Sequence, residues 1–127
     1  MSQLSVSQQI VQAVGPLVGG RCYARTFLQP DGALPPWPAA RFVFASLTTA
    51  PSICGDGGDD AADYRVQIDL ADAYGKGEAA FLALRAQLLA AMQALGATFV
   101  LDGQRDEFDA DTKTLRCSLD YLVYQSN

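Results

Sequence analysis

The chain has 127 residues, of which 50% are hydrophobic and 18% are charged, as is typical of one folded domain. Its net charge of −5 argues against a broad nucleic-acid-binding surface, which needs clustered lysine and arginine. It contains no histidine, the side chain best suited to proton transfer near neutral pH. Ser-His and Cys-His nucleophile pairs and His-based metal sites are therefore excluded.

The N-terminal segment is predicted to form a helix and then a short strand. Val6, Ile10 and Val14 recur every four residues, which indicates a helix over 5–14. The Gly-Pro step that follows ends this helix, because proline disfavours helical geometry in the residue before it. A strand over 22–28 comes next. The first residues have neither the basic nor the apolar stretch of a signal peptide, and we expect none.

The segment 29–40 holds four of the six prolines, which argues against a helix or a central strand. We predict an ordered surface loop in which Trp37 packs against the domain as an anchor. The apolar, β-forming segment 41–47 is predicted to be a strand covered on both faces. A second loop over 50–62 is rich in glycine and carries Asp56, Asp59 and Asp60.

The segment 64–70 is the clearest strand. Its even positions are apolar and alternate with Arg65, Gln67 and Asp69, so one face is expected to be buried and the other polar. A flat polar face with donors and acceptors suits a subunit interface. It is equally what an ordinary solvated sheet face looks like, and the residues alone leave both interpretations open.

The C-terminal half is predicted to contain one long helix and two strands. An apolar stripe indicates a helix over 77–95, and strands follow at 98–101 and about 114–124. The strands are joined by a charged turn over 102–111 that contains Arg105, Asp106 and Glu107. The predicted order α-β-β-β-α-β-β indicates a single α+β domain over residues 1–127, with a mostly antiparallel sheet and two helices on one face.

No segment predicts a catalytic, cofactor or metal site. The acidic loop does not match the spacing of an EF-hand, and nothing in the sequence buries the carboxylates of the charged turn. The three cysteines form no CxxC pair, which argues against a disulfide framework or zinc site and favours a reducing cytosol. The apolar stretch 79–95 is too short and too polar to span a membrane. The residues alone therefore predict a small assembly or binding domain without enzymatic activity.

The arrangement of these segments resembles the phage tail-completion family, which includes the tail terminators of lambda-like phages and the tail-to-head joining proteins of other siphophages. The resemblance rests on the order of helix, proline-rich segment, strand 41–47, acidic loop, YRVQIDL strand and long Ala/Leu helix. The closing segment, from QRDE at 104–107 to LDYLVY at 119–124, is also similar. The likeness extends over nearly the whole chain.

This resemblance implies a structural protein of a virion or prophage, located in the tail and assembled in the bacterial cytoplasm. It implies a ring, expected to be a hexamer, that stops tail-tube polymerisation and contacts the tail-tube and head-connector proteins. DNA would pass through the ring without specific binding, and no membrane or cofactor is implied. Ten residues are candidates for subunit-interface or channel-facing positions: Trp37, Asp56, Asp59, Asp60, Arg65, Gln67, Asp69, Arg105, Asp106 and Glu107.

Two other classes of protein remain compatible with the sequence. One is a small ferredoxin-like α+β enzyme, which would need a buried polar cluster in a pocket between sheet and helix. The other is a generic dimeric interaction module, such as a toxin–antitoxin or secretion accessory subunit. A closed apolar core would argue against the enzyme, and a strict dimer would argue against the ring.

Overall fold

A computed structural model describes residues 3–45 and 63–124 of the chain. The described residues form two helices and five strands in the order α-β-β-β-α-β-β, which confirms the predicted α+β class. Short 3₁₀ turns follow the first helix and the third strand, at Gly15–Val18 and Tyr74–Lys76. The helices and strands are α1 (Gln3–Val14), β1 (Cys22–Ala24), β2 (Ala39–Ala45), β3 (Tyr64–Ala73), α2 (Glu78–Gln93), β4 (Phe99–Asp109) and β5 (Thr114–Val123).

The five strands form one sheet in the order β1-β2-β3-β5-β4. The short edge strand β1 runs parallel to β2, and every other neighbouring pair is antiparallel. Both helices pack on one face of this sheet, which we call the helix face. The opposite face, which we call the open face, carries no helix of the described residues. None of the described helices is long and apolar enough to cross a membrane.

The main core lies between the helices and the helix face. The predicted four-residue repeat of α1 supplies fully buried Val6, Ile10 and Val14. Helix α2 contributes a second apolar stripe. The even positions of β3 and the odd positions of β5 form the part of the core that belongs to the sheet. Each large side chain buried here stabilises the fold by roughly 1.5–3 kcal/mol. The buried members of the second helix and central strand are Phe81, Leu88, Met92, Val66, Ile68 and Leu70.

The predicted charged turn at 102–111 is wrong. Strand β4 continues through Asp109, and the chain reverses only over residues 110–113. Arg105, Asp106 and Glu107 are therefore strand residues, each aligned with a residue of β5. The prediction failed because β4 is an edge strand whose C-terminal half has exposed side chains on both faces of the sheet. Such a strand shows no apolar alternation and can be mostly charged.

Other boundaries also differ from the prediction, and β3 extends three residues further, to Ala73. Strand β1 ends at Ala24, four residues before its predicted end, because Arg25 adopts a left-handed backbone conformation with φ of 74°. Strand β2 begins at Ala39, two residues earlier than predicted. The predicted end of β2 at 46–47 and the acidic loop at 50–62 lie outside the described residues.

Candidate functional site

The strand register determines which residues lie on the open face. One row across the sheet aligns Arg41, Asp69, Ser118 and Arg105. The neighbouring rows follow the same alternation, since residues two apart on a strand share a face. The open face therefore combines polar and charged residues of all four long strands. Its other members include Val43, Arg65, Gln67, Arg116, Asp120, Leu122, Val100, Gly103 and Glu107.

A buried carboxylate organises the centre of the open face. Asp69 is only 3% exposed, although it lies on the polar side of β3. Arg41 Nε donates to its Oδ2 at 2.6 Å, and Gln67 Nε2 donates to its Oδ1 at 2.8 Å. A charge-assisted hydrogen bond of this kind compensates for the loss of hydration. Arg41 and Gln67 are thereby held flat against the sheet.

The segment 25–38 covers one end of the open face. The ring of Phe27 packs against the guanidinium groups of Arg41 and Arg116, whose central carbons each lie 4.9 Å from its centroid. The half-buried Trp37 contacts Phe27 edge-on, with ring centroids 5.7 Å apart. These residues pack on Ala39 and Ala71 in a second, smaller apolar cluster. Only the end of the sheet near Ala39 is covered in this way by the described residues.

Arg116 also links β5 to the end of β4. Its Nη2 lies 2.7 Å from Asp109 Oδ2, and its Nε donates to Thr114 Oγ1 at 3.0 Å. The backbone N–H of Asp111 donates to Asp109, and this hydrogen bond, with the charge of Arg116, lowers the pKa of that carboxyl. The hairpin end of the sheet is therefore held by both charge and backbone contacts.

The remaining charges of β4 divide between the two faces. Arg105 and Glu107 both lie on the open face and form an exposed ion pair at 2.8 Å. Asp106 lies on the helix face, where its Oδ1 is 2.6 Å from Arg85 Nη1 of α2. At the other end of the strand, Arg65 reaches across the sheet to Asp102 at 2.9 Å.

A family model for tail completion protein gp17 matches residues 8–126. This chain belongs to that family. The match covers α1 from its middle onward and every strand of the sheet, so the whole described fold, apart from the first five residues of α1, is the tail-completion domain. A search of curated proteins finds no match. Membership of the family gives the chain a structural role in a phage tail.

The structure brings five of the sequence-predicted residues of this tail-completion protein onto one surface, the open face: Arg65, Gln67, Asp69, Arg105 and Glu107. Asp106 lies on the opposite face, and Trp37 lies at the covered end of the open face. Asp56, Asp59 and Asp60 fall outside the described residues.

Sequence reasoning missed Arg41, Arg116 and Phe27, which hold the covered end together. The two arginines carried a usable signal, because each is a charged residue at an alternating position of a strand. Nothing in the sequence indicated Phe27, which lies in an irregular segment and packs across it.

The side chains of Asp120 and Arg25 form no ion pair with the described residues. Asp120 is half-buried on the open face, aligned with Gln67 and Gly103, and forms no ion pair there. Arg25 lies beyond the end of β1 and forms no ion pair either. Arg25 is exposed and therefore solvated, whereas the half-buried carboxylate of Asp120 needs water or another molecule to solvate it.

The described residues offer little reactive chemistry. They contain no group of three potential metal ligands from His, Cys, Asp and Glu. Burial raises the pKa of the Cys22 thiol to about 11 and that of the Cys117 thiol to about 12, so both thiols stay protonated at neutral pH. Burial likewise raises the pKa of Tyr121 to about 12. These groups belong to the core and its margin.

Proposed function

We propose that this protein closes the end of the phage tail tube as a ring of identical subunits and joins the tail to the head. The ring is a hexamer, and it acts by binding without catalysis. The observation that carries this proposal is the family match, which extends from residue 8 to residue 126. Its partners are further copies of itself, the tail-tube protein and the head-connector protein. It works in the virion tail after assembly in the bacterial cytoplasm.

The open face supports a role in assembly. Neither described helix covers it, and Asp69 holds the side chains of Arg41 and Gln67 in place. Half-buried Val43 and Leu122 lie among these polar groups, together with 42%-exposed Val100. Interfaces that must form between folded subunits combine apolar contact with fixed hydrogen-bonding groups in this way.

The second part of the proposal concerns the channel of the ring. The chain has a net charge of −5, and Asp56, Asp59 and Asp60 lie in one short segment. Acidic residues facing a channel repel DNA phosphates and prevent the DNA from sticking during passage. We place these three aspartates at the channel. Replacing all three with asparagine is expected to slow DNA passage through assembled particles, and unchanged passage would rule out this placement.

The solution mass of the protein tests the ring. We expect light scattering to show a shift from monomer toward six subunits as concentration rises, or when purified tail tubes are added. A strict dimer at every concentration, with or without tubes, would overturn the proposal in favour of a generic interaction module. Electron microscopy of tubes mixed with the protein gives an independent readout, because bound rings should appear only at tube ends.

A further inference from the structure

The two edges of the sheet differ in a way that allows one copy of the chain to join the next. A closed ring needs a heterologous interface, in which two different surfaces of the same subunit meet. One edge of the sheet is the long strand β4, whose outer side pairs with no strand of the described residues. The other edge is β2 beyond the end of the short strand β1.

The outer side of β4 presents free backbone donors. The N–H of Tyr124 donates to the Thr98 carbonyl, so the even positions of β5 are those whose backbone groups face β4. Past the bulge near Gly103, these even positions of β5 align with odd residues of β4, whose backbone N–H and C=O groups therefore face β5. The N–H groups of Gln104 and Asp106 therefore point away from the sheet. A row of such groups is a template for another strand.

The opposite edge carries a groove of about 610 Å³. Arg25 N–H donates to the Phe42 carbonyl at 2.9 Å, and this is the last contact of the β1 side with β2. Because backbone direction alternates along a strand, the N–H and C=O of Phe44 face the same side with no described strand beside them. The described residues that line the groove are Leu4, Ser7, Ala24, Arg25, Phe42, Val43 and Phe44.

The groove carries a positive charge, and β4 carries exposed carboxylates. Arg25 lines the groove and forms no ion pair with the described residues. Each of the four acidic residues of β4 already pairs with an arginine of its own subunit, but the side chains of Asp106 and Glu107 remain 64% and 50% exposed. Their carboxylates can therefore accept a further contact from Arg25 of a second copy. The apolar side chains also match in kind, since Leu4 in the groove is 68% exposed and Phe108 on β4 is 53% exposed.

The strand directions are complementary as well. β2 and β3 are antiparallel, β3 and β5 are antiparallel, and β5 and β4 are antiparallel, so β4 runs opposite to β2. When two copies are placed edge to edge with their helix faces on the same side, β4 of one copy meets β2 of the next in antiparallel orientation. Antiparallel pairing is the arrangement that an added edge strand commonly takes.

From these observations we infer that the outer edge of β4 docks into the Arg25 groove of a second copy and extends its sheet. Rotation at each such joint closes the ring. This inference rests on the proposed ring and identifies the surfaces that form it. Phe108 of one copy contacts the apolar groove, and the acidic residues of β4 lie near Arg25 of the other.

Two variants, each of which removes one surface, test the inference. Gln104→Pro removes an outward N–H and places the pyrrolidine ring of proline at the edge of β4, without breaking a hydrogen bond to β5. Gln104→Ala is its control. Arg25→Asp reverses the charge of the groove, and aspartate tolerates the left-handed backbone there. Lys113→Asp is the control for charge, because Lys113 also has positive φ, at 53°, but lies in the hairpin turn.

We expect Gln104→Pro and Arg25→Asp each to raise the concentration needed for ring formation by about tenfold or more, with both controls unchanged. An equimolar mixture of the two variants should form dimers and nothing larger, because only one groove and one edge remain intact. Thermal unfolding shows whether each variant is folded. We expect Arg25→Asp to leave the sheet intact, because Arg25 lies beyond the end of β1 and contacts β2 through its backbone N–H.

The outcomes separate the inference from the proposed function. If the wild-type protein and both variants all form normal rings, the inference about the edge and the groove is overturned, but the proposed function is not. A wild-type protein that never associates, even on tail tubes, would overturn both. A mixture of variants that forms full rings would show that the edge and the groove are not the two halves of one interface.

Discussion

Asp69 shows how a single residue fixes the character of the open face. It is buried on the side of β3 that faces away from the core, and it holds Arg41 at 2.6 Å and Gln67 at 2.8 Å. The alternation at 64–70 correctly placed Arg65, Gln67 and Asp69 on the polar side of the strand. It could not show that Asp69 is buried, because Arg41 and the covering Phe27 come from distant parts of the chain.

The Arg41–Asp69 contact should be a coupled pair. Arg41→Ala is expected to lower the free energy of unfolding by about 2 kcal/mol, because it leaves a buried carboxylate with only one neutral donor. The Arg41→Ala/Asp69→Ala double variant should lose about 1 kcal/mol less than the sum of the single variants. Urea denaturation monitored by circular dichroism measures all three values.

The exposed pair of Arg105 and Glu107 provides the control for that cycle. Both side chains are at least half exposed, so Arg105→Ala should change the free energy of unfolding by less than about 0.5 kcal/mol. Additive effects of the Arg41 and Asp69 substitutions would show that the contact seen in the structure contributes no coupling energy.

At the scale of the elements, apolar periodicity predicted those segments that pack against the core. Helix α2 was expected at 77–95 and is found at Glu78–Gln93, because its stripe of large apolar residues faces the sheet. Strand β4 was mostly missed, because only its first residue, Phe99, is buried. Its pairing with β5 determines its length, and hydrogen bonds between backbones leave no mark in side-chain composition.

Helix α2 offers a direct test of which residues hold the element in place. Leu88 is fully buried, whereas Leu82 on the same helix is 39% exposed. We expect Leu88→Ala to lower the free energy of unfolding by about 3 kcal/mol, through lost burial and the cavity left behind. Leu82→Ala, the matched control, should cost less than about 1 kcal/mol. Equal losses in urea denaturation would show that the helix is rotated relative to the structure described here.

At the scale of the whole molecule, the sheet separates two apolar clusters that share strands. The main core lies under the helices, and the small cluster of Phe27, Ala39 and Ala71 lies on the open face. Composition and length predicted one domain but not this second cluster. Its members are separated by long stretches of sequence, and most of segment 25–38 has no regular secondary structure.

The single tryptophan makes the relation between the two clusters measurable. Trp37 packs against the small cluster, while β2 and β3 carry both that cluster and the main core. If the chain is one cooperative domain, Trp37 fluorescence and far-ultraviolet circular dichroism should give the same urea midpoint, because neither cluster can persist without β2 and β3. An earlier fluorescence midpoint would mean that segment 25–38 detaches first and uncovers Arg41 and Arg116. Phe27→Ala should then shift the fluorescence transition alone, whereas in a cooperative domain it should lower both midpoints together.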